Sequence, residues 1–177
     1  MITLRYPTQD DREQLEKVCF DPWALEYGFF HYWESMLKGD IDFLIEFLPK
    51  MVNKEDLPDE RHVACTFLCA FDEQNNLVGR LSIRHELTDF LLREGGHVGY
   101  AVMPEYRRKG YATEIMRWAT LHCKNALGLD KILVTCDDDN IGSIKTIEKN
   151  GGVLQDKIQN ASGRVLKRRY WIDLSAI

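Results

Sequence analysis

The sequence lacks the features that mark membrane, secreted and metal-binding proteins. No run approaches the roughly 18 consecutive apolar residues of a membrane-spanning helix, and the first residues lack the apolar stretch of a signal peptide. The five cysteines are odd in number and none forms a CxxC pair, which argues against a disulfide framework and a zinc site. These absences predict a cytoplasmic protein with reduced thiols, no membrane contact and no bound metal.

The sequence also lacks the signatures of several ligand-binding classes. Neither a P-loop, GxxxxGK(S/T), nor a dinucleotide fingerprint, GxGxxG, occurs in it. The net charge of −5 argues against a nucleic-acid-binding protein that uses its whole surface. With 177 residues, of which 45% are hydrophobic, the chain is predicted to form one domain over residues 1–177 with its own core.

Hydrophobic periodicity and turn residues predict the element order β-α-α-β-β-β-α-β-α-β-β. The predicted strands are 2–7, 62–71, 77–87, 96–103, 131–137, 153–158 and 164–174, and the predicted helices are 8–20, one or two within 21–51, 111–128 and 140–152. Antiparallel strands come first and a β-α-β unit follows. The order therefore predicts a single-domain mixed α/β (α+β) sheet, mostly antiparallel and flanked by helices.

The stretch "RRKGYA", residues 107–112, lies between a predicted strand and a predicted helix. The first N–H groups of a helix have no partner within it, and the helix dipole adds partial positive charge there. Gly110 allows close approach of the backbone to a ligand, and Ala112 leaves little side chain in the way. The turn therefore indicates an anion site. The alternative is a solvated basic turn in which Gly110 only eases the bend.

A second junction, "CDDDNIGSIKTIEKNGG", runs from residue 136 to residue 152. Asn140 stands where a strand gives way to a helix, and Ser143 follows one turn later. Asn140 is either a simple N-cap or a ligand contact.

Together, "HVGYAVMPEYRRKGYATEIMRWA" and "DNIGSIKTIEKNGG" resemble the GNAT superfamily of acyl-CoA-dependent N-acetyltransferases. The resemblance implies that acetyl-CoA is the cosubstrate and that a primary amine, on a small molecule or a protein, accepts the acetyl group. It implies that the backbone of the glycine turn cradles the CoA pyrophosphate and that the preceding strand bonds the pantetheine. The implied cofactor-binding residues are Tyr100, Ala101, Val102, Arg107, Arg108, Lys109, Gly110, Tyr111, Ala112, Thr113, Asn140, Ser143 and Lys149.

Two positions depart from the family pattern. Many members carry a carboxylate early in the strand before the glycine turn, where this sequence has His97. His97 is therefore the candidate base, with Glu94 second; a hydrogen-bonded structural histidine is the alternative. Many members also carry a tyrosine seven residues after the asparagine, as the acid that protonates the thiolate. Ile147 stands there and cannot act as an acid.

The family's acceptor lies over the N-terminal helices and the central cleft, which implies Phe30, Trp33 and Glu34 as acceptor-binding residues. The alternative is that these aromatic side chains are core. Three readings of function stay open: an N-acetyltransferase, a non-catalytic CoA-binding regulatory module, and a transferase for a longer acyl chain or another acceptor atom. A homodimer through the closing strands is possible.

Overall fold

The computed structural model describes residues 1–30, 40–57, 62–175 and 177. Over these residues the chain forms one seven-stranded sheet with the order β1-β2-β3-β4-β5-β7-β6. The strands are β1 Thr3–Arg5, β2 Cys65–Phe71, β3 Leu77–Arg84, β4 Val98–Val102, β5 Lys131–Asp137, β6 Gly152–Gln159 and β7 Leu166–Asp173. All pairs are antiparallel except β4 with β5. The mixed, mostly antiparallel sheet is confirmed.

Five α-helices flank the sheet within the described ranges. They are α1 Arg12–Cys19, α2 Pro22–Glu26, α3 Ile41–Phe47, α4 Tyr111–Asn125 and α5 Ile141–Lys149. Asp21 and Asp40 begin α2 and α3 by accepting hydrogen bonds from the N–H groups of Ala24 and Phe43, at 2.9 and 3.0 Å. The sequence did not indicate the π-helical turn at Leu91–Gly95, which lies between two predicted strands.

Each face of the sheet carries its own hydrophobic core. On one face, α4 and α5 pack on residues that include Val98, Val102 and Val134. On the other face, the N-terminal helices pack on residues that include Phe67 and Cys69. Successive residues of β4 point alternately to the two cores, because neighbouring residues of a strand lie on opposite faces of the sheet.

The parallel pair β4–β5 is joined only at its beginning. Val98 pairs with Val134, and no later residue of β4 pairs with β5. Gly96, with φ of 63°, allows the close approach, since a Cβ there would lie 2.6 Å from the Leu133 carbonyl oxygen. Beyond Val98 the strands separate and leave a gap beside β4.

An ion pair fixes β1 to the start of the helical layer. Arg5 donates two hydrogen bonds to the Asp11 carboxylate, at 2.7 and 2.8 Å, and the Thr8 N–H donates a third at 2.8 Å. Asp11 is fully buried. The bond from Arg5 is the main reason that the pKa of Asp11 lies below its usual value.

Replacing Asp11 with asparagine should lower the free energy of unfolding by about 2 kcal/mol at pH 7, because the Arg5 charge loses its buried partner. Because the pKa of Asp11 is lowered in the folded protein, the ionised carboxylate stabilises the fold above the unfolded-state pKa of about 3.9. This stabilisation is lost as the pH falls below that value. Urea unfolding at pH 7 and pH 3 measures both effects. The matched control is Asp10→Asn, which changes an exposed neighbour. An Asp11→Asn loss no larger than the control's would contradict the account.

Candidate active site

The turn before α4 presents a row of unpaired backbone donors. Gly110 is the N-cap of α4 with φ of 86°, and Arg108 also has a positive φ, 64°. The N–H groups of Thr113 and Glu114 donate to the Gly110 carbonyl oxygen, at 3.0 and 3.2 Å. No described residue accepts a hydrogen bond from the N–H groups of residues 108–112. This geometry is the backbone arrangement that binds phosphate groups.

Space for a ligand exists at this turn. A Cβ built on Gly110 would meet no atom within 4 Å. Arg108, Lys109 and Gly110 are exposed, and the Lys109 ammonium lies 5.1 Å from the Tyr106 ring centroid. The turn therefore carries two exposed cations, which add positive potential.

Arg107 points away from the turn. Its Nε donates to the Val102 carbonyl oxygen at 3.2 Å, and its guanidinium lies 4.9 Å from the Trp23 ring centroid. Trp23 packs against the core of the N-terminal helices. Arg107 therefore connects the end of β4 to that layer, and its side chain does not face the anion turn.

The backbone of β4 has different partners at alternate residues. The Arg84 N–H donates to His97 O at 2.8 Å, and the Met103 N–H donates to Val78 O at 3.0 Å. Since antiparallel pairs alternate, the backbone groups of Ala101 are directed to β3, whereas those of Tyr100 and Val102 face the gap. The expectation for Ala101 therefore differs from the structure: its backbone is engaged in the sheet.

The second junction contacts the first at the far end of α5. Asn140 Oδ1 accepts a hydrogen bond from the Ser143 N–H at 3.0 Å, so Asn140 is the N-cap of α5. Asn150 Nδ2 lies 3.5 Å from the Thr113 carbonyl oxygen, which brings the C-terminal end of α5 beside the first turn of α4. Lys149 is exposed and precedes Asn150 in the chain. Asn150 was missed; its only sequence signal is its place before the glycine stop.

His97 is built into the sheet. Its N–H donates to the Leu133 carbonyl oxygen at 2.7 Å, and its ring Nδ1 accepts the Leu133 N–H at 2.9 Å. Burial, together with the charge of Arg84, lowers the pKa of His97 to about 4. Because Nδ1 accepts a hydrogen bond, the ring proton lies on Nε2 and no lone pair is available to a substrate. This geometry agrees with the alternative that His97 is a hydrogen-bonded structural histidine.

Glu94 also makes structural contacts. Its Oε1 accepts a hydrogen bond from the Ala161 N–H at 2.6 Å, and its main-chain carbonyl oxygen accepts one from Thr135 at 2.5 Å. Glu94 thus ties the π-helical turn to the β6–β7 hairpin and to β5. The base role predicted for Glu94 stays a prediction.

A tyrosine lies beside the gap although the expected one is absent. Ile147 is fully buried in the core under α5. The Tyr100 side chain extends from β4 toward the hydroxyl groups of Ser143 and Thr146 on α5, and burial raises the pKa of its hydroxyl. That hydroxyl is buried and makes no hydrogen bond of normal geometry within the described ranges. Tyr100 is therefore a protonated group at the gap.

The predicted acceptor residues divide into one that the structure describes and two that it does not. Phe30 is 3% exposed, and its ring centroid lies 5.1 Å from that of Phe29 and 5.9 Å from that of Phe67. These contacts place Phe30 in the core, as the packing alternative had it. Trp33 and Glu34 lie outside the described residues.

Among the residues that the structure describes, no helix is long and apolar enough to cross a membrane. No cluster of three or more His, Cys, Asp and Glu side chains with metal-binding geometry occurs in the same ranges.

Comparison with known proteins agrees with this geometry. The family model described as an acetyltransferase (GNAT) domain matches residues 1–153. An uncharacterised N-acetyltransferase of Bacillus subtilis, YjdG, is 36% identical over 64 residues, which span 34% of this chain and 36% of that protein. The match thus spans about a third of the relative's length.

Solved structures share the fold. Spermidine N-acetyltransferase from Vibrio cholerae, in complex with CoA and spermine, has a TM-score of 0.65 at 21% identity, over 98% of this chain and 96% of that one. The microcin self-immunity acetyltransferase MccE, in complex with acetyl-CoA and AMP, has a TM-score of 0.68 at 16% identity, over 97% and 92%. At these identities the likeness concerns the fold.

The fold and the family match define an acetyl-CoA-dependent acyltransferase. The chain belongs to the GNAT acetyltransferase family.

Replacing His97 with alanine should lower the free energy of unfolding by about 2 kcal/mol at pH 7.5, because the Leu133 N–H loses its buried acceptor. In the wild type, stability should fall as the pH drops from about 6.5 toward 4, since the unfolded chain binds a proton that native His97 does not. Denaturant unfolding at several pH values measures both. Stability that is flat between pH 7 and 5, combined with an activity loss near pH 6.5, would restore the base role.

Proposed function

We propose that the protein transfers the acetyl group of acetyl-CoA to a primary amine by direct attack. The observation that carries the proposal is the row of unpaired N–H groups at residues 108–112, at the N-terminus of α4 and beside the gap in the sheet. Family membership supplies the reaction class. Amine acetylation also fits the spermidine acetyltransferase among the proteins of similar fold.

The CoA diphosphate binds at the turn and the pantetheine arm follows β4. Backbone N–H groups of residues 108–113 hold the diphosphate, with Arg108 and Lys109 adding charge. Lys149 approaches from the end of α5, and Asn140 and Ser143 border the arm at the start of α5. Tyr100 and Val102 supply the backbone groups that face the gap, whereas Arg107 holds the Val102 carbonyl oxygen.

The chemistry needs a neutral amine, a stabilised oxyanion and a protonated leaving group. The amine nitrogen attacks the thioester carbonyl carbon, and the oxyanion that develops is stabilised by a β4 N–H directed into the gap. The C–S bond then breaks and the sulfur takes a proton. His97 has no lone pair to offer, so the proton of the attacking amine leaves through water.

Tyr100 protonates the leaving sulfur in place of the tyrosine that Ile147 replaces. Its phenol lies between β4 and α5, and its buried hydroxyl has no acceptor of normal geometry within the described ranges. The raised pKa keeps the proton on the oxygen at neutral pH. A thiol of pKa about 8.5 needs little help to leave, so the expected contribution is small.

The acceptor is a primary amine of a small molecule or a protein. A non-catalytic CoA-binding module is the second candidate, because the family's usual acid and base are both absent from their places. Turnover separates the two: only the enzyme releases CoA in the presence of an amine.

Gly110→Asp should weaken acetyl-CoA binding at least 30-fold, because a carboxylate in the turn repels the diphosphate and occupies the open space. Calorimetry with the wild type and the variant measures this. The control is Gly128→Asp: Gly128 also has a positive φ, 64°, and open space around its Cβ, but lies at the other end of α4. Equal losses in the two variants would assign the effect to backbone strain. Absence of binding by the wild type would overturn the cofactor site.

Tyr100→Phe should lower kcat about tenfold and leave acetyl-CoA binding unchanged, because only the proton donor is removed. A merely structural hydroxyl predicts the reverse: its removal changes the stability and leaves kcat intact. Steady-state kinetics, calorimetry and thermal unfolding distinguish the two. An unchanged kcat would remove Tyr100 from the mechanism.

A further inference from the structure

A carboxylate stands at the end of β5, where that strand borders the gap. β4 and β5 run parallel and pair at Val98 and Val134. The same number of residues further along each strand leads to Ala101 on β4 and to Asp137 on β5, which is the last residue of β5. Ala101 and Asp137 therefore lie at the same level on the two edges of the gap.

The Asp137 side chain is on the face of the sheet opposite α4 and α5. Its neighbour Cys136 packs in the core under those helices, and neighbouring residues of a strand point to opposite faces. Thr135 points to the same face as Asp137 and donates its hydroxyl to the Glu94 carbonyl oxygen of the π-helical turn. The cofactor proposed above approaches from the other face. Asp137 therefore borders the face that is left for the acceptor.

Asp137 is the charged residue of the two gap strands on this face. Beyond the paired residues, the residues of β4 that point to this face are Gly99 and Ala101, and those of β5 are Thr135 and Asp137. Gly99, Ala101 and Thr135 carry no charge. The carboxylate of nearby Glu94 is engaged by the β6–β7 hairpin. Among these residues, Asp137 is the one with a carboxylate at the gap.

One oxygen of this carboxylate has a partner and the other does not. The sheet register places Lys167 of β7 beside Asp137, and Lys167 Nζ forms an ion pair with Asp137 Oδ1. No residue that the structure describes donates a hydrogen bond to Oδ2. The Asp137 side chain is 41% exposed, so a ligand can reach it. A carboxylate has about four lone-pair sites and can hold a second ammonium group.

We propose that Asp137 binds the amino group of the acceptor at the gap. The inference rests on the proposed acetyl transfer and specifies the residue that receives the acceptor. The carboxylate attracts the amine as its ammonium cation and accepts a hydrogen bond from it. Loss of one proton to water then leaves the nitrogen lone pair beside the thioester carbonyl carbon. Lys167 holds the carboxylate at the edge of β5 through the other oxygen.

The alternative is that the ion pair of Asp137 and Lys167 only joins β5 to β7. Opposite charges across two strands stabilise a sheet by about 1 kcal/mol or less. In that case both partners are equivalent, and removal of either has the same effect. Amine binding makes them unequal, because only Asp137 contacts the acceptor.

The test uses two CoA thioethers that place different groups near the position of the attacking nitrogen. S-(2-aminoethyl)-CoA carries an ammonium group, and S-propyl-CoA has the same length without the charge. Both bind through the same diphosphate and pantetheine, so the difference in affinity reports the group at the gap. In calorimetry with the full chain, the aminoethyl thioether should bind about tenfold more tightly.

Variants then locate the effect. Asp137→Asn should abolish the preference for the aminoethyl thioether and leave the affinity for S-propyl-CoA unchanged. Lys167→Met removes the same ion pair but leaves the carboxylate, so it should keep the preference or increase it. Thermal unfolding should show a similar, small loss of stability in both variants. The control is Asp130→Asn, which removes an exposed carboxylate just before the other end of β5.

Equal binding of the two thioethers to the wild type would overturn the inference, and so would a preference that persists in Asp137→Asn. A preference lost to the same extent in Asp137→Asn and Lys167→Met would assign a purely structural role to the pair. If neither thioether binds the wild type, the cofactor site itself fails, and the inference fails with it.

Discussion

β4 and β5 are held together at one end and separate immediately afterwards. His97 bonds Leu133 through both its backbone and its ring, and Gly96 allows the strands to approach. Past Val98 the hydrogen bonds that would complete a parallel ladder are missing. If the strands stayed paired, the backbone groups of Tyr100 and Val102 would be used up in the sheet. The buried histidine therefore holds the two strands together at the point where the gap begins.

The gap divides the molecule into two sides with different chemistry. On the α4–α5 side lie the exposed backbone donors of the turn and two exposed cations, Arg108 and Lys109. On the opposite side, arginines of β3 surround Gly99. The two exposed cations of the turn belong to a chain with a net charge of −5. Net charge therefore describes the surface as a whole and does not describe the turn.

The sequence predicted the features whose causes are local. The glycine turn, the Asn140 N-cap and the element order depend on neighbouring residues, and the structure contains all three. Contacts that need strand register were out of reach, because residues such as Arg84 and Gly99 meet only once β3 and β4 are aligned. For the same reason His97 looked like a base: its partner, Leu133, is 36 residues away. Aromatic periodicity could not separate core from pocket, and Phe30 is core.

The N–H donors of the turn and the Tyr100 hydroxyl are polar groups with different surroundings. The donors of the turn are exposed, so water satisfies them until an anion displaces it, and leaving them open costs little. The Tyr100 hydroxyl differs, because it is buried and faces the Ser143 and Thr146 hydroxyls of α5 instead of water. The cost of burying it therefore depends on how well those two hydroxyl groups pair with it.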